Sequence, residues 1–275
     1  MVKLYSIGIL LGVLISILFP LGIAIEIKLL KFGDKVWKYF LIAFLLGVLF
    51  FYIGLMRAIF TSSIPLSALY WVNLVVGAFV EEGMKLLVIY LLLRKINPDE
   101  ENGRYFGLIV GLGFGAGEML NFLPAIPAAI INTQNAIVGN FIVLQFFKDT
   151  PFEFLYSFNI AYYSILLISY TSTTNLFGIP LISLYERFVV VLFHSATAII
   201  IGYGFETDRP TLDLKKITLS PIIIYYLAMS GLHIFLNLWA ILFHLGALSI
   251  IATEIIITII SISSYIVAMW WLLNR

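Results

Sequence analysis

The stretch LSALYWVNLVVGAFVEEGMKLLVIYLLL, residues 66–93, is apolar for most of its length yet holds Glu81, Glu82 and Lys85 near its middle. The next charge along the chain is Arg94, which a helix rising 1.5 Å per residue places about 18 Å beyond Glu82. A bilayer's hydrocarbon core is about 30 Å thick, so this stretch reads as a membrane-crossing helix with charges at its centre. Ionisable groups at that depth are costly and are kept for function or for pairing inside a bundle.

The rest of the chain agrees with a membrane setting. Of its 275 residues 62% are hydrophobic and 11% charged. Several runs of about 20 residues carry no charge, and only helices or closed barrels satisfy their backbone in lipid. Apolar spans read at roughly 4–26, 37–56, 66–93, 104–123, 152–172, 181–205, 218–243 and 247–273. A ninth candidate, 131–147, is polar enough to be a span or a re-entrant piece. The predicted fold is an all-α polytopic bundle of 8–9 spans in one domain, residues 1–275, with a motif-bearing core at roughly 66–243 and a catalytic cavity at mid-membrane depth. The first span follows Lys3; its length and the lack of a small-residue cleavage site favour a retained anchor over a signal peptide.

Lysines and arginines in the linkers after the first, third and sixth clear spans mark those linkers as cytoplasmic. All three agree if 131–147 crosses, giving nine spans and an outside N-terminus. The net charge of +1 offers nothing to nucleic acid, and the absence of cysteine removes thiol nucleophiles, thiolate zinc sites and disulfides.

Counting inward from charged span ends finds companions for the glutamates. Glu118 follows Arg104 by 14 residues, His194 precedes Arg209 by 15, and His233 follows Lys216 by 17. Four spans thus place Glu81 and Glu82, Glu118, His194 and His233 at similar depth, whichever way each helix runs. Lys85 can partner Glu81 at i,i+4 or Glu82 at i,i+3. His233 and Asn237 are four apart and share a helix face, and Arg187 and His194 are seven apart on one face. Glu186 and Arg187 can pair with each other. His244 sits near a span end, Glu254 has no companion at its level, and Phe114 and Trp239 read as packing. Gly107, Gly111 and Gly115 form a GxxxGxxxG ridge, with Gly113 and Gly117 alongside. Close helix packing explains them as well as backbone approach to a substrate does.

Carboxylates and imidazoles in a low-dielectric site suit water activation, with imidazole free to stabilise an oxyanion, relay protons or bind metal. Glu118, His194 and His233 form an acceptable zinc set with an open water position. Serine-type GxSG and metallo-type HExxH motifs are absent, and every aspartate lies in a linker or at a span end.

Glu81-Glu82-Gly83-Met84-Lys85 fits EExxK, Phe114 to Glu118 fits FxxxE, and His194 is followed by an HxxxN pair, His233 and Asn237. Together these resemble the PrsW-type intramembrane proteases, in the superfamily of CAAX prenyl proteases and bacteriocin-immunity proteins. GLGFGAGE (111–118) and YERFVVVLFHS (185–195) are also similar to YhfC-type intramembrane metalloproteases, which often carry histidine at the position of Phe114. The resemblance spans residues 80–237. It implies an integral protein of a prokaryotic plasma membrane that cleaves a membrane-anchored protein or peptide. Glu81 and Glu82 would supply the water-activating carboxylate with Glu118 assisting. His194 and His233 would stabilise the oxyanion or hold a metal, and Asn237 would orient the scissile carbonyl. Glu118 stands where the CAAX proteases usually have histidine, which argues against prenylated substrates. Two other classes would also bury such residues: a non-catalytic scaffold, like the Aph subunit of gamma-secretase, and a proton-coupled transporter. The sequence shows neither paired broken helices nor an inverted repeat for the latter.

Overall fold

The computed structural model describes residues 2–29, 39–57, 66–96, 102–123, 175–176, 179–207 and 221–273. These form seven helices: α1 (Val2–Leu29), α2 (Phe40–Leu55), α3 (Leu66–Ile96), α4 (Gly103–Phe122), α5 (Leu181–Thr207), α6 (Pro221–His244) and α7 (Ile250–Leu273). Two-residue strands, β1 (Asn175–Leu176) and β2 (Ile179–Pro180), pair antiparallel just before α5.

Five of the helices are long and apolar enough to cross a membrane, over Ile7–Ile27, Gly103–Phe122, Leu181–Thr207, Pro221–Phe243 and Ile250–Leu273. The apolar α2 is shorter, at 16 residues. The 31-residue α3 has the length, about 46 Å, but its apolar run is broken by Glu81, Glu82 and Lys85. The expected spans 131–147 and 152–172 lie outside the described residues, and so does the choice between eight and nine.

The surface is apolar where a water-soluble protein would be polar. Leu18, Ile259 and Ile266 are 62%, 60% and 62% exposed, and Ile251, Ile255 and Ile259 repeat every four residues along α7. That stripe matches hydrocarbon rather than water. The interior holds the charges instead: Glu82, Lys85, Arg104, Arg187 and Glu254 are all buried.

The core is built around α4, which packs against α1, α2, α3 and α5. Its glycines explain how. Gly103, Gly107, Gly111 and Gly115 recur every four residues and so share one face. A Cβ at the first three would run into the backbone carbonyls of Gly202, Ala198 and His194, and one at Gly115 would press on Val191. Gly113 and Gly117 line another face, where a Cβ would strike the Phe44 carbonyl and the Phe51 side chain of α2. The ridge serves helix packing, and at Gly111 it seats the backbone of His194 directly.

Gly107→Ala is therefore expected to destabilise the protein by about 1–3 kcal/mol, the usual scale for overpacking. A Cβ at Gly231 in α6 would meet nothing within 4 Å, so Gly231→Ala is the control. Thermal unfolding in detergent should show a lowered midpoint for the first variant and no loss for the second. Equal midpoints would mean that the α4–α5 contact is looser than this packing requires.

Candidate active site

Glu81, Glu82 and Lys85 sit midway along α3, His194 at the centre of α5, and His233 midway along α6. Glu118 lies nearer the end of α4, one turn before Phe122. Adjacent residues on a helix diverge by about 100°, so Glu81 and Glu82 point to different neighbours. Glu82 faces α5 and α6. Its Oε1 accepts from Lys85 Nζ at 2.7 Å and from His233 Nδ1 at 2.7 Å. Lys85 also donates to Thr197 Oγ1 at 2.8 Å, and Thr197 in turn donates to the His194 carbonyl at 3.2 Å. Lys85 thus chooses the i,i+3 partner of the two open to it, and both members of the pair have no exposed side-chain surface.

Glu81 turns towards α2. Arg57 Nη2 donates to its Oε1 at 2.8 Å, and its Oε2 lies 3.7 Å from His233 Nε2. The His233 ring therefore stands between the two adjacent carboxylates.

The third carboxylate bridges two residues of α5. Glu118 Oε2 meets His194 Nε2 at 2.5 Å while its Oε1 accepts from Arg187. Two turns of helix separate Arg187 from His194, and the carboxylate spans that gap. Arg187 also pairs with Glu186, as its position beside it suggests. Phe114 packs between the two halves. Its ring centroid is 5.0 Å from Lys85 Nζ and 5.2 Å from the His194 ring. The two imidazoles are 5.5 Å apart, centroid to centroid.

Each of the three carboxylates pairs with a different cation: Arg57, Lys85 or Arg187. Buried charges survive only when paired in this way, because the loss of hydration otherwise costs several kcal/mol per ion. Two buried polar atoms at the centre have no hydrogen-bond partner among the described residues, Glu82 Oε2 and His194 Nδ1. Such groups are rare in folded proteins and mark a place for water or a ligand.

Other expected members stand apart. Asn237, one turn beyond His233, is half-buried, and no described contact joins it to the network. The zinc set Glu118, His194 and His233 does not converge: Glu118 meets His194, but His233 turns to Glu82 and Glu81. Among the described residues no three histidine, aspartate or glutamate side chains are placed to hold a metal ion. Glu254 is less isolated than its sequence context suggests. It is buried on α7 within electrostatic reach of Glu186 and Arg187. Trp239 packs edge-to-face on Phe235, and the side chain of His244 lies outside the described residues.

Arg57 and Thr197 are members of the network that no sequence motif marks. Thr197 is three residues from His194, a spacing that puts it on the same face, and that is the available signal. Arg57 follows the end of the apolar α2 by two residues and has no motif around it.

No curated protein and no solved structure matches the chain. A sequence model of the PrsW family of intramembrane metalloproteases matches residues 35–185, more than half of it and including Arg57, Glu81, Glu82, Lys85 and Glu118.

Proposed function

We propose, from the premise that this chain belongs to the PrsW family of intramembrane metalloproteases, that it hydrolyses a peptide bond in or near the membrane segment of an anchored protein. The observation that carries this reading is the unpartnered Oε2 of Glu82. It is a buried acceptor on a carboxylate whose other oxygen is fixed by Lys85 and His233.

In this reading a water molecule enters the polar cluster beside Glu82 Oε2 and His194 Nδ1. Glu82 takes its proton as the oxygen attacks the scissile carbonyl carbon. Lys85 and Thr197 hold the carboxylate still. The imidazoles of His194 and His233 each have one ring nitrogen on a carboxylate; a ring that has taken up a second proton from solvent before the substrate binds can donate its other N–H to the tetrahedral oxyanion. Collapse of that intermediate breaks the C–N bond, and the proton held by Glu82 passes to the leaving amine. Glu118, anchored by Arg187, orients His194. Asn237 orients the substrate carbonyl from the next turn of α6. The substrate is a membrane-anchored protein or peptide reached through the bilayer, without a prenyl group. The setting is a prokaryotic plasma membrane.

Membership of a metalloprotease family implies a metal. The described donors do not fit one as placed, because each carboxylate is already paired and no three donors converge.

The test co-expresses a panel of single-span reporters with the wild-type protein and with Glu81→Gln, Glu82→Gln and His233→Ala. A fragment made by wild type and lost in Glu82→Gln and His233→Ala supports the reading. Identical fragments from every variant, or none from wild type, return the cluster to a scaffold's packing role. Chelator treatment of the purified protein then divides the chemistry. Loss restored by zinc assigns a metallopeptidase whose ligands must rearrange from the described positions. An unchanged rate assigns a glutamate peptidase.

A further inference from the structure

His233 stands between two neighbouring carboxylates but bonds closely to only one of them. Its Nδ1 is 2.7 Å from Glu82, whereas its Nε2 is 3.7 Å from Glu81, beyond hydrogen-bond range. What holds Glu81 back lies just past the end of α2. Arg57 Nη2 grips Glu81 Oε1 at 2.8 Å, and Nη1 of the same guanidinium donates to the Gly54 carbonyl at 3.0 Å. The guanidinium lies against Gly77 of α3, one turn before Glu81, where a Cβ would come within 3.1 Å of Nη2. Arg57 is thus fixed from both helices, and through it Glu81 is fixed as well.

We infer that Arg57 is a positioning residue, which restrains Glu81 so that His233 keeps Nε2 free for the reaction and bonds to Glu82 alone. This rests on the proteolytic reading for its consequence in catalysis, although the restraint itself does not. Without Arg57, Glu81 has a released carboxylate that lies 3.7 Å from His233 Nε2, a nitrogen that can donate to it once the ring is protonated. The ring would then be bonded at both nitrogens and withdrawn from the oxyanion. Of the two adjacent glutamates, only Glu82 acts as the base; Glu81 acts through Arg57 and His233.

The chain has three histidines, so selective 15N labelling of the full-length protein in detergent gives a readable histidine spectrum. Arg57→Gln is expected to move the ring-nitrogen signals of His233. Arg57→Lys, which keeps a cation, should restore the wild-type positions. In a Glu81→Gln background, Arg57→Gln should add no further change, since the two act as one unit. Unmoved His233 signals in Arg57→Gln overturn the inference. If that variant misfolds, the near-isosteric Glu81→Gln decides by the same criterion, because removing the carboxylate must alter the environment of Nε2.

Cleavage supplies the second arm, with a reporter made of one apolar helix between two soluble tags. Arg57→Gln should lower kcat by about tenfold with KM little changed, the pattern of an interaction that matters in the transition state. An Arg57→Gln protein as active as wild type, beside an inactive Glu82→Gln, overturns the positioning role and leaves the proteolytic reading standing. A reporter uncut by wild type counts against the proteolytic reading, and the spectrum still decides the restraint.

Discussion

Replacing Lys85 with alanine is expected to destabilise the protein by about 3–5 kcal/mol, because it leaves the Glu82 charge buried without a counter-ion. Neither side chain of the pair has exposed surface, so bulk solvent does not screen the charge that is left. The same change removes the donor to Thr197 and the cation over the Phe114 ring. Lys85→Arg should cost less, since it keeps the charge. Adding Glu82→Gln to Lys85→Ala should recover part of the loss, because removing both charges of a buried pair is far less harmful than removing one. Thermal unfolding in detergent is the measurement. An unchanged midpoint for Lys85→Ala would show that the pair is hydrated and that the centre of the bundle is open to water.

Glu82→Gln is the second large effect. Glutamine keeps the side chain's shape and an acceptor for Lys85 Nζ and His233 Nδ1, but it has almost no basicity. Cleavage should fall by about 100-fold or more, the scale of general-base loss. The amide leaves Lys85 without a full counter-charge, so some stability is lost too. Rates are therefore compared at a temperature where both proteins are folded, as judged by their own melting curves. A stable Glu82→Gln protein that cuts at the wild-type rate would remove Glu82 from the chemistry.

How much of this could be read from the sequence depends on whether a contact is set within one helix or between helices. The choice of Lys85 as a carboxylate partner follows from i,i+3 and i,i+4 spacing alone. Counting residues inward from the charged span ends is enough to bring Glu82, Glu118, His194 and His233 to one level. The contacts that join them then need only that four helices face inward. The glycine ridge is legible as a ridge, because 107, 111 and 115 repeat with the helix. Which helices it meets is not, since that depends on α5 lying about 80 residues away in sequence.

Interhelical partners carry no local sign. Arg57 is 24 residues from Glu81, and Arg187 is 69 from Glu118. The expected zinc set does not converge among the described residues, for a related reason. Residue type makes Glu118, His194 and His233 acceptable ligands, but rotation about α6 turns His233 towards Glu82. Asn237 shows the same limit: sharing a face with His233 does not bring it into the network. Glu254 reads as solitary in the sequence because its companions, Glu186 and Arg187, belong to another helix.

The most direct measurement is to cut the single-span reporter with purified protein in liposomes made up in 18O-enriched water, and to read the fragment termini by mass spectrometry. One cut in or beside the apolar segment is expected, with one 18O atom in the new C-terminal carboxyl group and disappearance of both fragments with Glu82→Gln. Intact reporter with wild type, or the same labelled fragments with Glu82→Gln, would contradict it.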